Sequence, residues 1–251
     1  MKTLTRPRAR QEGRAPLCYN ARPVGLRHDI VAVIPAYDAA ATVGAVVAGV
    51  RRHLERVVVV SDGSRDATGE EARRAGALVD ELPANRGKGA ALRRGIEIAL
   101  ALDCAALLLL DADGQHDPDD LPAFLAAWDL SRPDLVIGSR LQDARTIPSA
   151  RFWTNYIGSR ILSWMTGREL LDSQSGYRLL AAPLARSLPL RAEGFAIESE
   201  MLIKATRLGA RLEHVRVRTI YNDAGSHFRP ALDTFRISCA SIYYKVFDDG
   251  D

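Results

Sequence analysis

Three stretches of this chain are apolar at consecutive rather than alternating positions: IVAVI at residues 30–34, VVVV at 57–60 and AALLLL at 105–110. A strand with one face in water alternates apolar and polar side chains, because successive side chains point to opposite faces. Unbroken runs therefore predict strands buried on both faces, as in a parallel sheet covered by helices. Two shorter runs, ALV at 77–79 and LVI at 135–137, continue the series. Between the runs lie residues 41–54, 67–76, 88–102 and 118–128, each long enough for a helix. Strand and helix in strict alternation predict an α/β fold with a mostly parallel sheet and helices on both faces.

Ligands of such sheets bind beyond the carboxyl ends of the strands. Here every strand end carries polar or glycine-rich residues: Pro35-Ala36-Tyr37-Asp38, Ser61-Asp62-Gly63-Ser64, Asn85-Arg86-Gly87-Lys88-Gly89, Asp111-Ala112-Asp113 and Gly138-Ser139-Arg140. Together they predict one cleft along one edge. The fourth run ends in LLLLDADGQHDPDDL (107–121), which holds five aspartates. In extended chain, residues i and i+2 share a side, so Asp111 and Asp113 face one point, with Gln115 following if the chain stays extended. Two carboxylates at one point call for a hard divalent cation such as Mg²⁺ or Mn²⁺, or else each caps a backbone amide in a turn. Asp117 before Pro118 reads as a helix N-cap, with Asp119 and Asp120 in the first turn, where the helix dipole favours negative charge. Asn85-Arg86-Gly87-Lys88-Gly89 reads as a turn into a helix whose amides and cations suit a diphosphate. It lacks the P-loop spacing, and the first strand lacks G-x-G-x-x-G, which counts against a dinucleotide oxidoreductase.

The remaining composition sets bounds. A chain of 251 residues with 47% apolar residues can bury a sizeable core, and a net charge of +3 does not imply nucleic acid. Residues 1–28 carry seven Lys and Arg against Glu12, with three prolines and no apolar period, and read as a basic, flexible tail. Three scattered cysteines in no ligand spacing fit a reducing cytoplasm. No apolar core follows the basic N-terminus, so no signal peptide is expected. The most apolar region, 96–110, is broken by Glu97 and Asp103 and falls short of the ~20 residues a membrane-spanning helix needs.

These pieces, in this order, resemble family 2 glycosyltransferases of the GT-A fold. The matching stretches are VAVIPAYDAAATV, VVVVSDGSRDAT, NRGKGAALRRGI, LLLLDADGQHDPDDL and DLVIGSR. DSQSGYRLL, and the stretch from EGFAIESEML to SHFRP, are similar to the branch that contains dolichyl-phosphate mannose synthase and related polyprenyl-phosphate sugar transferases. The resemblance spans about residues 29–236. It implies a single GT-A, Rossmann-like domain over 29–251, with a nucleotide-sugar half (29–141) and an acceptor half (142–251). It also implies an inverting enzyme with a nucleotide-diphosphate sugar donor and a divalent metal.

Carried over by position, Pro35, Tyr37, Asp38 and Asp62 line the nucleoside pocket, although Ala39 stands where the family has Glu. Asp111, Asp113 and Gln115 match the D-x-D-x-Q metal pattern. Lys88 and Arg140 fall near the donor, and Asp172 near the sugar and acceptor, with Asp113 and Asp172 as the catalytic pair. Ser226, His227 and Arg229 fall in a loop that contacts phosphate, in a form that departs from the commoner G-x-S-K.

An acceptor phosphate is already ionised at neutral pH, whereas a hydroxyl acceptor needs a base, for which Asp172 and Glu200 are candidates. The bland reading makes Asp172 a loop cap and puts Glu198 and Glu200 on an exposed first turn. Residues 151–165 (RFWTNYIGSRILSWM) read as a helix with a broad apolar face, suited either to core packing or to a lipid-water interface. Residues 231–247 are similar in character. The expected partners are a nucleotide sugar and a polyprenyl phosphate, met in the cytoplasm at the inner membrane face directly or through a separate membrane protein. A soluble hydroxyl acceptor and a non-catalytic nucleotide-binding module are the alternatives. Nucleic acid is not expected, since no aromatic platform or nucleic-acid motif accompanies the basic tail.

Overall fold

The computed structural model describes residues 25–140, 149–218 and 220. The five apolar runs become β1 (Arg27–Ala36), β2 (Leu54–Ser61), β3 (Leu78–Glu81), β4 (Ala106–Leu109) and β5 (Leu135–Ser139). Ile30 to Ile34 and Leu107 to Leu110 are buried without a break, as strands covered on both faces must be. The first strand begins at Arg27, inside the stretch read as tail, and Arg27 pairs there with Asp29 and Asp129.

The helices between the strands are α1 (Val43–Arg51), α2 (Thr68–Arg74), α3 (Lys88–Ala101) and α4 (Leu121–Ser131). In α1, Val43, Val46, Val47 and Val50 repeat at helical spacing and are all buried. Helix α3 lies so close to the sheet that a Cβ on Gly95 would come within 2.4 Å of Val33 Cγ1. The chain enters α4 through a 3-10 turn, Pro118–Asp120, where Asp117 caps the Asp119 amide at 2.9 Å as its place before Pro118 predicts.

The second half adds α5 (Ser149–Thr166), β6 (Arg178–Ala181), α6 (Ala182–Ser187), α7 (Ala196–Arg207) and β7 (Leu212–Arg216), and the strands among the described residues form one seven-stranded sheet in the order β3-β2-β1-β4-β6-β5-β7. All pairings are parallel except those of β6, which runs antiparallel between β4 and β5. Both halves of the chain thus share one sheet. The chain moves outward from β1 through β2 to β3, then returns to place β4 on the other side of β1. The loops after β1 and β4 diverge at that point, which is where an open α/β sheet forms its crevice.

Candidate active site

A cavity of about 510 Å³ lies at this switch point, within the range of small-molecule sites. Of the residues singled out in sequence, Pro35, Tyr37, Asp38, Asp62, Lys88, Asp111, Asp113, Gln115 and Arg140 all line it. Asp172 does not line it, and Ser226, His227 and Arg229 lie outside the described residues.

Hydrogen bonds between loops hold one end of the cavity. Asp38 turns the chain at φ 46°, accepts from the Arg65 amide at 2.8 Å and donates its own amide to Ser64 Oγ. Buried Asp62 accepts from the Arg86 amide at 2.8 Å. A Cβ on Gly63 would stand 2.4 Å from the Asn85 nitrogen, so the loops after β2 and β3 cross in backbone contact. Gly87, at φ 85°, then starts α3, and a Cβ on Gly89 would come within 2.3 Å of Ala192 O. The glycines of NRGKG thus let the first turn of α3 press against the loop that leads into α7.

At the end of β4 the chain turns rather than staying extended, with Gly114 at φ 74°. The Asp113 carboxylate accepts from the Gln115 amide at 2.9 Å, the cap foreseen as the bland alternative, yet Asp111, Asp113 and Gln115 still face one cavity. The two acids differ. Burial acts to raise Asp111, but the Lys88 ammonium, 2.6 Å from its Oδ1, holds it below the usual carboxylate range. Burial and the charge of Asp111 push Asp113 upward. Behind them His116 is buried and stacked on Tyr177, and its Nδ1 accepts from the Asp111 amide at 3.2 Å. Burial pushes this imidazole down to about 4, so it stays neutral and fixes the turn.

Lys88 also lies 2.6 Å from Glu198 Oε1 on α7. Burial acts to lower the ammonium's pKa, but Asp111 and Glu198 outweigh it and raise it. Glu198 and Glu200 are both buried, not on an exposed turn, because α7 is enclosed along Ile197 to Ala205. Glu200 is tied to the amides of Arg191 and Ala192 and to Lys204, away from the cavity.

Asp172 is 0% exposed and accepts from Arg140 through the backbone amide, Nε (2.8 Å) and a terminal nitrogen (3.0 Å). Although burial opposes it, Arg140 keeps this carboxyl below its usual range. Its place is behind Arg140, orienting a guanidinium that faces the cavity. Neither candidate base is therefore placed to take a proton from a molecule in the cavity.

Sequence reasoning missed several lining residues from the second half: Asn155 on α5, Gln174, Phe195, Glu198 and Ser199. Gln174 stands inside the motif that was read for Asp172. For Glu198 the exposed first turn of the bland reading gives way to a buried position, which apolar neighbours at 197, 201, 202 and 203 mark as a helix closed on most sides.

Asp38, Asp62, Asp111, Asp113 and Glu198 line the cavity together with Lys88 and Arg140, an excess of acids that would repel an anionic ligand arriving alone. Residues 31–175 match the family described as Glycosyl transferase family 2. The chain belongs to that family. It is a glycosyltransferase, and the sheet with the cavity at its switch point is the GT-A fold of the family. Over 228 residues it is 31% identical to an uncharacterized protein of Methanocaldococcus jannaschii, covering 88% of this chain and 94% of that one. Over 209 residues it is 29% identical to the undecaprenyl-phosphate mannosyltransferase of Micrococcus luteus, covering 78% and 85%. Among solved structures, it is similar in fold to Mycobacterium tuberculosis glucosyl-3-phosphoglycerate synthase in complex with Mn²⁺ and UDP-glucose, with a TM-score of 0.63 and 21% identity, covering 87% and 79%.

Proposed function

We propose that this glycosyltransferase moves a hexose, with inversion, from a nucleotide-diphosphate sugar of the GDP-mannose or UDP-glucose type to a polyprenyl phosphate, with Mg²⁺ or Mn²⁺ as cofactor. The observation that carries the reading is the turn of Asp111, Asp113 and Gln115 facing Lys88 and Arg140 in one cavity. Pro35, Tyr37, Asp38 and Asp62 take the nucleoside, and Lys88 takes the diphosphate.

The acids fit a divalent cation. Among the described residues no three His, Cys, Asp or Glu gather into a self-sufficient cage. Two carboxylates and an amide oxygen suit an ion that completes its shell with substrate phosphates. When bound, the ion neutralises the departing diphosphate. Arg140, oriented by Asp172, is the second cation of the cavity wall and takes the donor beside Lys88. Ser226, His227 and Arg229, outside the described residues, are assigned to the acceptor phosphate on the resemblance alone.

Two observations favour a phosphate acceptor over a hydroxyl. Asp172 and Glu200, the two bases named for a hydroxyl acceptor, are both buried, held by other partners and outside the cavity lining. Helix α5 adds Asn155 to the cavity wall and turns Trp153 (57% exposed) and Trp164 (84%) outward, with Tyr156, Ile157 and Ile161 also exposed. An aromatic, apolar face beside the cavity suits the lipid-water interface. No helix among the described residues is long and apolar enough to cross a membrane. The enzyme then meets its lipid from the membrane surface, alone or with a separate membrane protein.

The test is nucleotide release from a panel of UDP- and GDP-sugars with Mg²⁺ or Mn²⁺, with and without polyprenyl phosphate in vesicles. Release that needs the lipid phosphate and falls at least about 100-fold in Asp113→Ala is expected. Release indifferent to lipid would transfer the assignment to a soluble acceptor. The product's anomeric configuration, read by NMR, checks inversion.

A further inference from the structure

The cavity floor already holds a cation of its own. The Lys88 ammonium bridges Asp111 Oδ1 and Glu198 Oε1, at 2.6 Å from each, with the Phe195 ring 5.2 Å away. Backbone geometry enforces the bridge from two sides. The first turn of α3 is pressed against the loop before α7 at Gly89, and Gly176 leaves the room that Asp111 and Lys88 occupy. The second oxygen of Glu198 is buried with no hydrogen-bond partner among the described residues. A carboxylate that is half unsatisfied is costly to keep, and Lys88 is the cation on which its charge acts.

We propose that Lys88 is a resident counter-cation whose position Glu198 sets, so that a divalent ion binds tightly only together with a diphosphate. The diphosphate draws the ammonium off Asp111 while Glu198 keeps it at the floor. This deepens the donor reading above and rests on it.

The argument is one of partners. Without ligand, Asp111 and Glu198 share Lys88. An ion arriving alone at Asp111 meets an ammonium already there, and with Asp113 it finds too few protein oxygens to replace much of its hydration shell. With a diphosphate, each charge changes partner without loss. Asp111 exchanges ammonium for the ion, Lys88 exchanges Asp111 for a phosphate oxygen, and the phosphates supply the missing ligands. Glu198 is then a positioning residue. Without it the ammonium would rest on Asp111 alone and compete harder with the ion.

The experiment titrates Mn²⁺ without nucleotide, following free Mn²⁺ by electron paramagnetic resonance, in the full chain and in Lys88→Met and Glu198→Gln. Lys88→Met vacates two carboxylates and is expected to bind Mn²⁺ at least about tenfold more tightly, whereas Glu198→Gln binds it more weakly. A folding defect would weaken both, so opposite signs are the signature. Lys88→Gln serves if Lys88→Met fails to fold. Adding GDP or UDP should tighten Mn²⁺ binding at least about tenfold in the unsubstituted chain and less in Lys88→Met. Unchanged or weaker Mn²⁺ binding by both folded Lys88 variants overturns the proposal while leaving the donor reading standing. If neither nucleotide tightens Mn²⁺ in the unsubstituted chain, the donor reading and the coupling fall together.

Discussion

Helix α7 carries two buried lysine–glutamate pairs built from acids only two residues apart, and they differ in completeness. Glu200 receives the Arg191 and Ala192 amides and Lys204, which in turn donates to Pro189 O at 2.7 Å. Glu198 receives Lys88 on one oxygen and nothing among the described residues on the other, beside an open cavity. A closed network of this kind holds a loop in place. An incomplete one keeps charge available for something that has yet to arrive. Burial and an ion pair look alike in both, so it is the unfilled valence that separates scaffold from site.

The largest effect should come from breaking the complete pair. Lys204→Met leaves Glu200 buried and without its cation, and stability should fall by about 3–5 kcal/mol. A urea midpoint reads this directly, and a loss below about 1 kcal/mol would mean that the amides alone satisfy Glu200.

The contrast also marks how far the sequence could be read. Four strands of the first half declare themselves because both faces of each are apolar, and their polar ends follow from topology; β3, at the sheet's end with Leu78 exposed, was legible only from its place in the alternation. Residues 35, 37, 38, 62, 88, 111, 113 and 115 were accordingly legible, and all line the cavity. The acceptor side was harder. Strand β6 is four residues long, begins with the fully buried Arg178, and shows no period of its own. That guanidinium is satisfied by the carbonyls of Ser173, Ser175 and Glu198, partners that no local pattern announces. Glu198 and Glu200 read alike in one dimension, and only the packing of α7 against different loops parts them. Asp172 reads as a catalytic residue in one dimension, whereas it sits behind Arg140, which follows the neighbouring strand β5.

Acid should act next most strongly, beginning behind the incomplete pair. His116, which holds the Asp111 turn, and His214, which accepts from the Leu171 amide, are both pushed down to about 4 by burial. The unfolded chain takes up these protons near 6.5, while the folded chain resists until about 4. Below 6.5 the unfolded state therefore binds more protons, and stability falls as pH drops through that window, by on the order of 3 kcal/mol per histidine at its lower end. Urea midpoints between about pH 7.5 and about pH 4.5 should slope accordingly. His116→Asn should flatten part of the slope, and a level profile would contradict the neutral, buried assignment.

Breaking the incomplete pair should reverse the balance between stability and activity. Glu198→Gln keeps the shape and removes a half-satisfied charge, so the urea midpoint should move by less than about 1 kcal/mol. Donor turnover should fall about 100-fold, as for loss of one preorganised group. If instead it loses stability like Lys204→Met while turnover is preserved, the two pairs are the same kind of scaffold.

The smallest effect is the most local. A Cβ on Gly176 would stand 3.0 Å from Asp111 Oδ2 and 3.3 Å from Lys88 Nζ. Both neighbours are ends of side chains that can yield, and Gly176 has no positive φ to strain an alanine. Gly176→Ala should therefore fold with little loss, yet shift the carboxylate and ammonium by a few tenths of an ångström. A cost near 1.4 kcal/mol in the transition state is about tenfold in kcat/KM. Gly167→Ala supplies the opposite case: φ is +67° with nothing within 4 Å, so it should cost about 1–2 kcal/mol of stability and leave turnover alone. If Gly176→Ala leaves turnover at the level of Gly167→Ala, the spacing of Asp111 and Lys88 does not govern the reaction, and the incompleteness of the Glu198 pair loses its functional meaning.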